Sequence, residues 1–176
     1  TGAADIFANS GGVMEAALRT VHEIISGESL PALLNFTPVR GLKGIKEASV
    51  TFDKVAEGFE WLKGVTVNVA VANTTGNARE LLDAIKAGEK SYHFVEIMCC
   101  PGGCIGGGGQ AKPANWEIKA KRAAAIYKED EGRELRKSHE NPAVQVLYSE
   151  FLGKPNSHKA HELLHTHYKS KAHLTK

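Results

Sequence analysis

VTVNVAVANTTGNARELLDAIKAGEKSYHFVEIM, residues 65–98, sets the architecture of this chain. Val65, Val67, Val69 and Val71 fall on one side of an extended segment, the period-two pattern of a strand with a buried face. A turn-like NTTGN follows at 73–77. Residues 78–87 then carry Leu81, Leu82 and Ile85 at helical spacing, with Gly88 as a stop. Residues 92–98 return to strand character. Strand, helix and strand within about 35 residues form a βαβ unit, whose helical crossover implies parallel pairing. The fold class expected is α/β, a partial parallel sheet with flanking helices. In such sheets ligands gather beyond the carboxyl ends of the strands.

The second strand runs directly into FVEIMCCPGGCIGGGGQ, residues 94–110, which holds all three cysteines of the chain, Cys99, Cys100 and Cys104. Six of the eight residues from 102 to 109 are glycine, so the segment was not built to pack a core. Soft thiolates on a bare backbone loop suit an inorganic sulfur cluster better than a lone metal ion, and loop amides can donate to an anionic ligand. A cubane normally takes four cysteines. Three are present, so at least one ligand must come from elsewhere. Three other readings stand beside this one. The cysteines could be small buried apolar groups. Structural zinc prefers paired Cys-x2-Cys knuckles, a spacing that Cys100-x3-Cys104 misses. A phosphate loop requires glycine spacings and a Lys-Ser or Lys-Thr that this run lacks.

Upstream, residues 11–26 read as a helix whose buried face carries Val13, Met14, Ala17, Leu18, Val21, Ile24 and Ile25, with Ser10 as cap and Gly27 as stop. Residues 28–44 read as a connector and 45–52 as a further strand. After Pro113 the composition changes. Residues 116–128 form a basic helix, 142–152 a short helix opened by Pro142, and 159–169 a last helix. The domains expected are 1–113, the α/β part, and 114–176, a helical wrap around it. The opening TGAADIFANSGG enters a helix at once and reads like the middle of a longer polypeptide.

Composition bounds the function classes. The 176 residues are 42% hydrophobic and 24% charged, with a formal net charge of +2. These are ordinary globular values. The charge does not by itself imply nucleic acid, no apolar run reaches the roughly 20 residues of a membrane span, and clustered cysteines give no disulfide framework.

The motif FVEIMCCPGGCIGGGGQ resembles the third signature of the FeFe hydrogenases, Phe-x-Glu-x-Met-small-Cys-x-Gly-x-Cys followed by a glycine run and Gln-Pro. IFANSGGVMEAALR at 6–19 is similar to the family segment that lines the same pocket. RKSHENPAVQVLY at 136–148 and AHELLHTHYKS at 160–170 resemble its small-subunit region, here fused. The resemblance implies that Cys100 and Cys104 bind the 4Fe-4S cubane of the H-cluster. It implies that Cys104 also bridges to a two-iron subcluster with CO, CN and dithiolate ligands. Met98 would pack beside the two-iron unit, and Phe7 and Val13 would shield it from water. Ala8, Cys99 and Ala111 stand where the family usually has Gly, Ala and Pro. The family's first motif, with Thr-Ser-Cys-Cys-Pro, and its second, with Met-Pro-Cys and a lysine, are missing. They would supply the remaining cluster cysteines and the proton-relay cysteine from the amino-terminal remainder of the chain or from a separate chain.

The activity so implied is reversible reduction of protons to dihydrogen in the cytoplasm, with ferredoxin or NAD(P)-linked subunits exchanging electrons. This portion alone would be inactive and would fold poorly. An iron-sulfur carrier or assembly factor without the two-iron unit, or a sensory protein, is the alternative.

Two further patterns have plainer explanations. His161-Glu162-Leu163-Leu164-His165 matches the zincin H-E-x-x-H, and His158, His167 and His173 lie close by, but a solvent-facing histidine-rich helix explains them as well. The basic tail 154–176 reads as a solvated face or a rim that attracts an acidic electron carrier. Glu96 is read as a structural acid that points away from the cysteine side.

Overall fold

The valine run becomes the central strand of a three-stranded sheet. In a computed structural model of the chain, which describes residues 1–170, β1 (Ile45–Thr51), β2 (Thr66–Asn73) and β3 (Phe94–Met98) lie in the order β1-β2-β3. β2 and β3 pair in parallel, from Val69 opposite Phe94 to Asn73 opposite Met98, as the helical crossover requires. β1 is antiparallel to β2, with Ile45 opposite Ala72 and Thr51 opposite Thr66. The sheet is therefore mixed. The β1–β2 connection contains one 3-10 turn, Glu60–Leu62, and no helix to carry the chain back to its starting edge, so β2 returns in the opposite direction.

β2 is covered on both faces. Val69 and Val71 pack with Met14 and Leu18 of α2 (Gly12–Ser26) and with Leu33, Val39 and Val50. Ala70 and Ala72, on the other face, meet Ala78 and Leu81 of α3 (Thr75–Lys86). Each fully buried valine contributes about 1.5–3 kcal/mol. Two local readings change. The turn-like NTTGN is already the first turn of α3, capped by the Thr74 hydroxyl, which accepts from Asn77 N. Leu82, placed with Leu81 by spacing, is 48% exposed.

The buried side of α2 is also not the expected one. Met14 and Leu18 are buried, but so are Glu15 and Arg19, while Val21 and Ile24 are 42% and 49% exposed. The reason is an ion network. Arg19 donates to Glu15 Oε1 at 2.6 Å and to both oxygens of Asp130 at 2.8 Å. Arg40 grips Glu15 through two bonds of 2.7 and 2.6 Å, and Arg136 reaches Asp130 at 2.6 Å. Burial alone would raise the Asp130 carboxyl, but the bonds from Arg19 and Arg136 outweigh it and hold its pKa below the usual range. Asp130 is carried by α4 (Trp116–Glu131), which packs against α1 (Gly2–Asp5) and the 3-10 turn Ile6–Ala8.

Two compact units divide between Ser138 and His139, later in the chain than the change of composition after Pro113. The second unit holds α5 (Pro142–Val146), which continues into a π-helical stretch, Leu147–Leu152, and α6 (His158–Leu164). α6 is shorter than the 159–169 helix expected. His173 lies outside the described residues. No helix among the described residues is long and apolar enough to cross a membrane.

Candidate metal centre

The cysteine loop starts where β3 ends, beyond the carboxyl ends of the two parallel strands. Cys99 and Cys104 are exposed, Cys100 is half-buried, and none is in a disulfide. Gly103 N donates to Cys100 O at 3.0 Å, closing a turn. Gly106 N and Gly107 N then donate to Gly103 O and Cys104 O at 3.0 and 3.1 Å, winding Cys104–Gly106 into a 3-10 turn.

This loop is held against the segment that carries Phe7 and Val13. Asn9 and Gly103 form an antiparallel bridge, and Ser10 N donates to Gly102 O at 2.9 Å. Gly103 has φ +95°, and a Cβ there would lie 2.6 Å from Ser10 N and 2.7 Å from Ala8 O, so only glycine admits this approach. Gly106 is similarly crowded, with Pro101 O only 2.2 Å from where a Cβ would stand. Phe7, 46% exposed, sits in the turn leading into the bridge. Val13, in the first turn of α2, and Met98, at the end of β3, are both half-buried.

Four polar residues hold this arrangement. Glu96, the middle residue of β3, accepts from Gly11 N at 2.6 Å and Met14 N at 2.8 Å. It caps α2 in the role expected of Ser10, favourably placed at the positive end of the helix. Burial raises its pKa, opposed by the amides and by nearby Lys46. Glu96 is thus a structural acid, but it does not point away from the cysteine side: its carboxylate holds the segment that the cysteine loop bridges. Lys46 on β1 donates to Ser10 O at 2.7 Å and Gly41 O at 2.9 Å. Burial lowers its pKa to about 8, opposed by Glu96. Asn73, fully buried at the end of β2, accepts from Gly102 N at 3.2 Å and donates to Lys43 O at 2.9 Å. Thr74 adopts φ 74°, ψ 149°, a sparsely populated conformation costing on the order of 1–3 kcal/mol. It is held there by Thr74 N donating to Met98 O at 2.8 Å and by Asn77 Nδ2 donating to its hydroxyl at 2.9 Å.

Sequence reading missed Asn73 and Lys46. A polar residue closing a buried valine strand and a lone charge on the apolar side of β1 were the available signals.

The remaining candidate donors do not assemble. His161 and His165 lie with tilted rings, centroids 4.4 Å apart. Among the described residues no group of three or more His, Cys, Asp or Glu side chains could hold a metal ion.

The profile of the iron only hydrogenase large subunit, C-terminal domain, matches residues 1–108. The chain belongs to the iron-only hydrogenase family. The profile of the iron hydrogenase small subunit matches 116–171, so both parts of the family occur in one polypeptide. The NADP-reducing hydrogenase subunit HndD of Solidesulfovibrio fructosivorans is 50% identical over 96% of this chain and 27% of its own length. A solved structure of a variant of FeFe hydrogenase HydA1 from Chlamydomonas reinhardtii superposes with a TM-score of 0.74 at 47% identity. It covers 92% of this chain and 45% of that one. A probable cytosolic Fe-S cluster assembly factor of Drosophila persimilis is 30% identical over 90% of the chain and 31% of its own length. The chain therefore spans between about a quarter and just under half the length of these relatives.

Proposed function

We propose that this chain is the carboxyl-terminal part of the catalytic domain of an FeFe hydrogenase, holding one side of its H-cluster. The observation that carries the reading is the pairing of Asn9–Ser10 with Gly102–Gly103, which brings the turn of Phe7 against the loop of Cys100 and Cys104. The residues fit the cofactor. Two uncrosslinked thiols stand on a loop whose next residues, 106–109, have no side chains to obstruct a bulky group.

Cys100 and Cys104 are assigned as ligands of the 4Fe-4S cubane, with Cys104 also bridging to the two-iron subcluster. When bound, the H-cluster supplies the redox chemistry that interconverts protons, electrons and dihydrogen. This chain's residues position and shield it. The Gly102 clamp from Asn73 and Ser10 fixes the spacing of the thiols. Phe7, Val13 and Met98 present apolar side chains that exclude water from the two-iron side. Two cubane ligands and the proton-relay cysteine are assigned to the amino-terminal remainder of the hydrogenase or to a partner chain. Ferredoxin or an NAD(P)-linked subunit is assigned as electron partner, in the cytoplasm.

A second reading is favoured by the 30% identity to Fe-S cluster assembly factors: a carrier of the cubane without hydrogen turnover. Gas production and electron spin resonance on the full-length protein, made with its maturation factors, separate the two. Dihydrogen together with a cubane signal, both lost in Cys104→Ser, supports the hydrogenase. A cubane signal without dihydrogen supports the carrier. Unchanged iron content and spectra in both Cys100→Ser and Cys104→Ser remove the site.

A further inference from the structure

The glycine run after Cys104 is spanned by one side chain from the helix that follows it. On α4, Lys119, Arg122 and Ile126 share a face. Ile126 and Tyr127 pack against Ala3, Ile6 and Ala16, and Asp130 locks onto Arg19, so the helix is fixed from its carboxyl half. Its amino half then faces the loop. Arg122 Nη1 donates to Ile105 O at 2.8 Å, and Nη2 donates to Ala111 O at 2.7 Å. These two carbonyls bracket residues 106–109, the four consecutive glycines. Lys119 lies alongside, its Cε 2.8 Å from where a Cβ on Gly106 would stand.

We propose that Arg122 is a positioning residue for the cubane, acting through the glycine run rather than by touching the cluster. The proposal rests on the cofactor assignment above. Four glycines in sequence are the costliest segment to order. The planar guanidinium fork ties both ends of the run to one rigid helix, a geometry a point charge cannot reproduce. The fixed run lies over Cys100, since a Cβ on Gly107 would be 3.4 Å from Cys100 Sγ. Backbone placement around cluster sulfurs governs hydrogen bonding and solvent access, and through them the reduction potential. The helix that does this belongs to the region matched by the small-subunit profile, and the loop it fixes lies at the end of the large-subunit match. The small-subunit-type region thereby takes part in setting the cubane's environment.

The test compares wild type, Arg122→Lys and Arg122→Met in the full-length protein. Amide hydrogen exchange is measured at Gly106 and Gly107 in the metal-free protein. The cubane midpoint potential and spin-resonance spectrum are measured in the matured one. In Arg122→Met, exchange at both amides accelerates on the order of tenfold, as loss of charged hydrogen bonds worth upwards of 1.4 kcal/mol implies. The midpoint potential shifts and the cubane spectrum broadens. Arg122→Lys, keeping the charge and one carbonyl, falls between, and it carries the test alone should the methionine variant not fold. Wild-type exchange, potential and spectrum in the folded variants overturn the proposal, whatever happens to their melting temperature. If the wild type itself holds no cubane, the cofactor assignment falls instead, and exchange in the metal-free protein alone decides the role of Arg122.

Discussion

The ion network around Arg19 and the cysteine loop are built on opposite terms. In the network, three guanidinium groups and two carboxylates pair with one another, and the side chains of Glu15, Arg19 and Asp130 are fully buried. In the loop, backbone groups are bound by Asn73, Ser10 and Arg122, while two of the three thiols are exposed. In the network both carboxylates are enclosed by guanidinium groups; the loop is ordered in its main chain and open at its sulfurs. A segment whose backbone is restrained while its reactive atoms are left exposed is prepared for something that arrives after folding.

Substitutions can break or sharpen that contrast. The largest effect is expected in the closed region. Arg19→Met removes three charged hydrogen bonds, leaving Glu15 to Arg40 and Asp130 to Arg136, and lowers the unfolding free energy by about 3–5 kcal/mol in urea denaturation. Gly103→Ala follows. Its forced φ and its clash with Ser10 N and Ala8 O cost about 3 kcal/mol and reduce iron retention after maturation. Asn73→Ala removes the acceptor for Gly102 N and costs about 1–3 kcal/mol, read by denaturation and by faster exchange of the Gly102 amide.

The pH dependence comes next. Lys46 has a pKa of about 8 in the folded chain against 10.5 unfolded, so between these values the unfolded chain binds more protons. Stability from this group rises with pH across that window, with a slope of up to about 1.4 kcal/mol per pH unit. Lys46→Met removes the slope, read by denaturation at about pH 7.5, 9 and 10.5. The smallest effect belongs to the open region. Cys104→Ser changes the stability of the metal-free protein by no more than about 0.5 kcal/mol, while abolishing cluster binding. A large loss of metal-free stability there would erase the distinction between the two regions.

What the sequence disclosed follows from how local each signal is. Val69 and Val71, the α3 crossover and the cysteine loop at the end of β3 are neighbours in sequence, and periodicity with element order placed them correctly. Glu96 was legible as a structural acid because alternation along β3 turns it to the face opposite Ile97, toward the sheet interior. Two of the α2 positions were misread because apolar spacing assigned the inward face to Val21 and Ile24, whereas Glu15 and Arg19 turn inward to meet Arg40 and Asp130. Arg19 and Asp130 stand 111 positions apart, beyond the reach of any local pattern. Asn73, Lys46 and Arg122 act through bonds to main-chain groups, and such partners leave no trace in side-chain composition. The antiparallel β1 depended on a connection whose path its residues do not specify.

The salt-bridged core also bears on how such a protein can be divided. Some family members are implied to carry the small-subunit region as a separate polypeptide. A cut between residues 108 and 116 would leave Arg19 on one product and Asp130 on the other. Each would keep one partner, Glu15 for Arg19 and Arg136 for Asp130, and lose the pair that joins the two. The two products would meet as incomplete halves, and formation of their shared interior would coincide with docking of Arg122 onto the glycine run. Subunit recognition and cofactor-loop ordering would then be a single event.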